Sequence, residues 1–455
     1  MAHFDFVIVG AGSGNSLLTP ELEGRQVAIV ERGEFGGTCL NRGCIPSKML
    51  VHVADVAETA RRSGRLGVEA RVEEVRWPEI TERVFGRIDP IAAAGEDYRR
   101  GLQDVVVYKG QARFKGPRRL EVNGSEITGD AVVLAAGARP FVPPHPDLTS
   151  VEYHTSDGIM RLPEPPERLL VWGGGYIAAE MAHVFGAAGS EVTIVNRGPR
   201  LLRAEDLDVS EAFTAAYRRR FRVLTDSQPI GATSMSGGGV ALDVRHSSGI
   251  ETLRADVLLV AAGRVPNGDE LAVGTAGVAL DDAGYVVVDR YGRTTADGVW
   301  ALGDICNPNQ LKHVANAEAR VIAHNLAHPG DLRPVALGPI PHAVFASPQV
   351  ASVGYTEQEL AASGRPYLRS LRPYGDTAYG WAMEDTGSFC KLLSDPVTDR
   401  LLGAHICGPD AAVLLQQLVQ AMAFDLSVTQ IASGQLYIHP ALSEVVEQAL
   451  LGLGQ

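Results

Sequence analysis

Two segments of this chain repeat one local plan, and that plan leaves few folds open. Phe4–Val9 runs into Gly10-Ala11-Gly12-Ser13-Gly14-Asn15, then an apolar stretch, then a second strand over Val27–Val30 that ends at Glu31. Leu169–Trp172 runs into Gly173-Gly174-Gly175-Tyr176-Ile177-Ala178, then a helical stretch, then Glu191–Val195. Each reads as strand, glycine turn, helix, strand, the unit that sets a pyrophosphate at a helix N-terminus. The glycines permit the tight turn and let the backbone approach the phosphates. One such turn is a weak signal. Two, each following an apolar strand, predict two nucleotide sites on parallel sheets. Asn15 stands where the third glycine of the first turn is expected, so helix and strand there are expected to pack less closely.

The units differ at the tip of their second strand. Glu31 ends the first, where a carboxylate can hydrogen-bond ribose hydroxyls. Asn196 holds the comparable place in the second and is followed by Arg197, Arg200 and Arg203. Losing the acid and gaining guanidinium groups suits a 2′-phosphate, which arginine binds bidentately, so NADPH is expected over NADH. A solvated basic loop is the plainer alternative.

Between the two units lies Gly36-Gly37-Thr38-Cys39-Leu40-Asn41-Arg42-Gly43-Cys44-Ile45-Pro46-Ser47-Lys48. Four residues separate the two cysteines, just before a predicted helix. A disulfide needs its Cα atoms within about 7 Å, and Gly43 helps the loop fold that tightly. Cys44 falls at the helix N-terminus, whose positive end favours a thiolate, and Lys48 follows one turn on. This is the pattern of a working redox pair. A zinc half-site or two unrelated buried thiols would be the alternative, but zinc pairs usually show shorter spacing and a second ligand pair. Neither is present.

The rest of the composition narrows the class. At 455 residues the chain is long enough for about three domains. Its net charge of −13 argues against a nucleic-acid or anionic-membrane partner. No apolar run reaches the roughly 18 residues of a membrane span, and no secretory signal precedes the strand at Phe4, so a cytoplasmic location is expected. Five cysteines are too few for a secreted disulfide scaffold, and Cys306, Cys390 and Cys407 read as ordinary thiols. No metal site is expected. Proline-rich segments punctuate the chain and suggest divisions at 1–146, 147–266, 267–336 and 337–455. The last is expected to begin with a strand at Ala343–Phe345 and to carry helices at Ala411–Phe424 and Ser443–Leu451.

With these residues in place, the chain resembles the pyridine nucleotide–disulfide oxidoreductases of the glutathione reductase and lipoamide dehydrogenase type over essentially its whole length. Besides the dithiol and glycine turns, Thr294–Asp304 resembles the family's second FAD motif. Val132–Gly137 and Leu258–Gly263 resemble its short inter-domain crossings, and His439-Pro440-Ala441-Leu442-Ser443-Glu444 its C-terminal His-Pro…Glu motif. The resemblance implies an α/β fold: two Rossmann-like nucleotide-binding domains plus a C-terminal α+β dimerisation domain. It implies FAD at Gly10, Gly12, Gly14, Glu31, Thr38, Gly137 and Asp304, the last contacting the ribityl chain. It implies NADPH at Gly173, Gly175, Ala178, Arg197 and Arg203, with Tyr176 as a gate over the nicotinamide. Cys44 would be the flavin-side sulfur that forms the charge-transfer thiolate, and Cys39 the interchange thiol. Lys48 would sit near flavin N5 and pair with Glu180. His439, oriented by Glu444, would be the acid/base and would enter from the other subunit of a homodimer. Taken singly these residues have plainer roles: a surface lysine, a helix carboxylate, a packed tyrosine, a histidine before a helix starting at Pro440.

The expected substrate is a low-molecular-weight disulfide. His154–Asp157, Leu311–Asn316, Tyr374–Asp385, Gly434–Leu442 and Ala449–Leu453 resemble family members acting on an uncharged, hydroxyl-rich disulfide. An NAD-dependent dihydrolipoamide dehydrogenase and a glutathione-type reductase are the alternatives within the family. A redox-sensing flavoprotein module is the one outside it. A tail without cysteine disfavours mercuric and large thioredoxin reductases.

Overall fold

The computed structural model describes residues 1–454. The chain divides into two compact units: 1–47, 79–141 and 263–337 form the first, and 48–78, 142–262 and 338–455 the second. The breaks fall near 141, 262 and 337. The segment 48–78 groups with the second unit, which its sequence neighbours did not suggest.

The first unit is built on a seven-stranded sheet centred on Ala2–Val9. Val27–Glu31 and Ser125–Leu134 flank that strand in parallel, and Val105–Lys109 and Val299–Ala301 extend the parallel part. Arg119–Val122 and Ala112–Gly116 add an antiparallel edge. Val7 and Ile8 are both essentially unexposed although they point to opposite faces, as a parallel sheet covered on both sides requires. Full burial of such side chains is worth about 1.5–3 kcal/mol each.

The helix expected after the first glycine turn is not α-helical. Ser13–Leu17 and Pro20–Leu22 form short 3-10 turns instead. The Asn15 side-chain amide takes the Ala11 carbonyl that a fourth-following N–H would otherwise claim, and Pro20 has no N–H to give. Nor is the packing looser. Gly14 is buried, and a Cβ there would lie 2.8 Å from Ile8 and 3.0 Å from Ala135. The close-approach position is Gly14, one residue before Asn15.

The second unit carries a four-stranded parallel sheet, ordered Arg222–Leu224, Glu191–Val195, Arg168–Trp172, Val257–Val260. Here the glycine turn does open an α-helix, Tyr176–Ala188. A three-stranded antiparallel meander, Gln228–Ser234, Val240–His246 and Gly249–Ala255, follows. The chain's last quarter forms a five-stranded antiparallel sheet, His342–Val344, Val350–Gly354, Leu401–Cys407, Phe389–Ser394, Leu368–Pro373. Helices Ala411–Ala423 and Ser443–Leu451 bury Leu415, Leu418, Val445 and Leu450 against this sheet. A cation is also buried there: Lys391, unexposed, reaches Asp206 at 2.7 Å and Asp208 and Glu357 at 2.6 Å each. Burial opposes its charge, but those three hydrogen bonds hold the ammonium's pKa above its ordinary value. No helix among the described residues is long and apolar enough to cross a membrane.

Candidate active site

Both glycine turns are held by the same steric device. Gly10 has φ +109°, and a Cβ there would collide with the Ala135 carbonyl. Gly173 has φ +144°, and a Cβ there would collide with the Ala261 carbonyl. Each turn thus lies flat on the end of a neighbouring strand, which only glycine allows. Around the first turn, Glu31 uses both oxygens: Oε2 accepts the Ala11 N–H and Oε1 the Gly33 N–H, each at 2.7 Å. The backbone of Gly12 approaches Gly37, so that a Cβ on Gly12 would lie 3.6 Å from the Gly37 Cα.

Gly37–Arg42 is a short helix, so Cys39 sits within a helical turn rather than in the loop expected before one. Thr38 precedes it and is exposed. A second helix, Cys44–Arg62, starts at Cys44 itself, which is exposed at that N-terminus. The Cys39 thiol is hydrogen-bonded to the Cys44 side chain. That bond, then burial, then the Cys44 charge push its pKa well up, while the Lys312 ammonium pulls it down. Lys312 is fixed by a 3.0 Å bond from Nζ to Ser13 Oγ.

Asp304 lies in the turn Gly303–Ile305, and burial raises its carboxyl against the pull of Arg264 and Lys312. Glu318 supports that turn by accepting the Gly303 N–H and the Asn307 amide, each at 2.6 Å. Gly137, at φ +65°, faces open space.

In the second unit, Gly175 opens the helix Tyr176–Ala188 without a side-chain cap, and a Cβ there would meet nothing within 4 Å. An uncapped helix N-terminus of this kind favours an anion. Tyr176 is 45% exposed, and Ala178 is buried. One turn on, Glu180 is 4% exposed and accepts Lys48 Nζ at 2.7 and 2.8 Å, plus the Phe345 N–H at 3.1 Å. The Lys48 ammonium also lies 4.7 Å from the centre of the Phe345 ring. Two turns further along Cys44–Arg62, Asp55 bonds buried His183 at 2.8 Å.

The three arginines separate. Arg200 lies 3.6 Å from Glu211, whereas Arg197 and Arg203 are exposed and make no ion pair among the described residues. Asn196 does more than leave out an acid. Its amide donates to the carbonyls of Gly198 at 2.9 Å and Arg200 at 2.8 Å, folding the basic loop. A carboxylate in its place could donate neither bond.

At the C-terminus, His439 Nδ1 lies 2.7 Å from Glu444 Oε1, and the histidine side chain is 72% exposed. The helix here begins at Ser443 rather than Pro440. Glu444 is held in its first turn, 14% exposed, and its second oxygen is buried without a partner. Sequence reading named these groups but missed three others: Lys312 beside Cys39, the loop-folding role of Asn196, and the Lys391 cluster. Only Lys312 left a signal, inside the segment Leu311–Asn316.

Comparison with known proteins places this geometry. The family model for pyridine nucleotide-disulphide oxidoreductases matches residues 4–320, and that family's dimerisation-domain model matches 340–450. The chain belongs to the pyridine nucleotide-disulphide oxidoreductase family. It is 48% identical to the mycothione reductase of Mycobacterium tuberculosis, with 100% of both chains covered. It is 32% identical to the dihydrolipoyl dehydrogenase of Corynebacterium glutamicum, over 99% of this chain and 98% of that one. Among solved structures it matches the HOCl-induced flavoprotein disulfide reductase RclA of Escherichia coli. The TM-score there is 0.86 at 28% identity, covering 98% of this chain and 99% of the other.

Proposed function

We propose that the protein is an FAD-dependent, NADPH-oxidising disulfide reductase acting on mycothione, a homodimer of the cytoplasm. One observation carries the reading. A hydrogen-bonded Cys39–Cys44 pair, with Cys44 at a helix N-terminus, sits in a chain 48% identical end to end to a mycothione reductase. The dimerisation-domain match supports the homodimer.

The residues present fit both cofactors. The flat turn at Gly10, the fixed Glu31 carboxylate and the open space at Gly137 suit the diphosphate, ribose and flavin of FAD, in 1–146 completed by 267–336. The uncapped helix at Gly175 and the unengaged Arg197 and Arg203 suit the diphosphate and 2′-phosphate of NADPH in 147–266. When bound, FAD supplies the two-electron relay from reduced nicotinamide to the dithiol. Lys48, held by Glu180, would supply a positive charge for the bound flavin, and Tyr176 would screen the nicotinamide. The helix N-terminus stabilises Cys44 as thiolate. Cys39 attacks one sulfur of the substrate disulfide; the other sulfur leaves as a thiol, taking its proton from His439 of the other subunit. Cys44 then attacks Cys39, closing the Cys39–Cys44 disulfide and releasing the second thiol. Two electrons pass from dithiol to substrate at each turnover.

The test follows NADPH and NADH oxidation with mycothione, glutathione disulfide and lipoamide. Turnover with NADPH and mycothione alone is expected. Fast lipoamide turnover with NADH would overturn the substrate and cofactor assignments. Within this reading, the double variant Arg197→Ala/Arg203→Ala is expected to raise KM for NADPH about 10- to 100-fold, since a charged hydrogen bond contributes about 1.5–3 kcal/mol. KM for NADH should stay unchanged. An equal effect on both cofactors would remove these arginines from the 2′-phosphate.

A further inference from the structure

One cluster lies outside every role given above. Glu21, in the turn Pro20–Leu22, and His324 and His328, at the end of the helix Lys312–Ala327, each place one ligating atom within 4.8 Å of the others. His324 and His328 are four residues apart, one helical turn, and their rings stack at 4.4 Å with 20° between planes. Each ring has one nitrogen on a backbone carbonyl. Because the lone pairs lie in the planes of stacked rings, the exposed His328 ring must turn out of the stack for both to meet one ion. His328 Nδ1 lies 3.1 Å from the His324 carbonyl, and His324 Nε2 lies 3.0 Å from the Asp331 carbonyl. In a neutral ring that contact takes the N–H and leaves the other nitrogen its lone pair, which is how metal-ligating histidines are commonly held. The Asp331 carboxylate stands 3.6 Å from the same His324 nitrogen, on the side of the ring that the backbone carbonyl occupies. Glu21 pairs directly with neither imidazole among the described residues. The three groups are close enough to share an ion and too far apart to satisfy one another.

We infer that Glu21, His324 and His328 form a binding site for a borderline divalent transition-metal ion such as Zn2+. Two neutral imidazoles and a carboxylate are ligands for this class of ion, while Mg2+ and Ca2+ prefer all-oxygen sites. Glu21 and His328 are exposed and His324 is buried, so the ion has access from outside and one fixed anchor. Binding would tie the turn Pro20–Leu22 to the end of the helix and add stability in proportion to occupancy. The inference is independent of the disulfide reductase reading.

The test titrates the FAD-loaded protein with Zn2+ alone, without reductant, by calorimetry, and records the thermal midpoint at each addition. His328→Ala removes an exposed ligand and should leave the fold and disulfide turnover intact. It is expected to weaken binding by at least about tenfold and to abolish the zinc-induced rise in midpoint. Glu21→Gln is expected to weaken binding in the same direction. Zinc binding of equal strength in wild type and His328→Ala would overturn the site, placing the ion at the cysteines or elsewhere. So would wild-type protein that takes up no zinc.

Discussion

Cys39→Ser is expected to abolish disulfide turnover while NADPH still bleaches the flavin at the wild-type rate. The Cys39 thiol is half-buried and hydrogen-bonded to the side chain of Cys44, beside the helix that begins there. Serine preserves the size and the hydrogen bond. It cannot form the mixed disulfide or close a bond with Cys44, and its hydroxyl is a far weaker nucleophile. Electrons should therefore enter and have no exit. Stopped-flow measurement of flavin absorbance reads the first half-reaction, and steady-state NADPH oxidation with mycothione reads the whole cycle. Near-normal turnover would mean that another thiol performs the interchange.

His439→Ala is expected to slow turnover about a hundredfold or more, the usual scale for loss of a general acid/base. The hydrogen bond to Cys44, then burial, raise the pKa of Cys39, so near neutral pH the thiol is protonated and attack on substrate needs a base. Glu444 accepts the Nδ1–H of His439, which leaves Nε2 as the working nitrogen. The sign of the pH effect follows. Raising the pH favours the Cys39 thiolate, so a pH-dependent change in the deficit of His439→Ala should be a narrowing. A deficit that widens as pH rises, or turnover near wild type, would remove His439 from proton transfer. The 72% exposure of His439 fits a side chain offered to a second copy.

How much of this was legible in the sequence depended on how local each feature is. The turns at Gly10 and Gly173 were legible because a strand followed by glycines is written in consecutive residues. The spacing of Cys39 and Cys44 was legible for the same reason, whereas the step from His439 to Glu444 came from family resemblance. The pairing of Lys48 with Glu180, 132 positions apart, came only from family resemblance. What failed was a choice between competing local bonds. The first turn read as a helix start, but the Asn15 amide and Pro20 divert that stretch into 3-10 turns. What stayed hidden was long-range. Neither Lys312 near Cys39 nor Lys391 among Asp206, Asp208 and Glu357 leaves any periodicity to read. Asn196 was read for the charge it lacks, when its amide's two donations fold the loop.

The shared seating of the two glycine turns has an evolutionary consequence. Gly10 against Ala135 and Gly173 against Ala261 seat both turns by shape, and at the first the Glu31 carboxylate adds a bond to the Ala11 N–H. The two strand-tip residues then differ in what they add: Glu31 ties down the first turn, whereas the Asn196 amide folds a cationic loop. In such a scaffold a change at the strand tip can alter which dinucleotide is chosen while the glycine seat stays as it is.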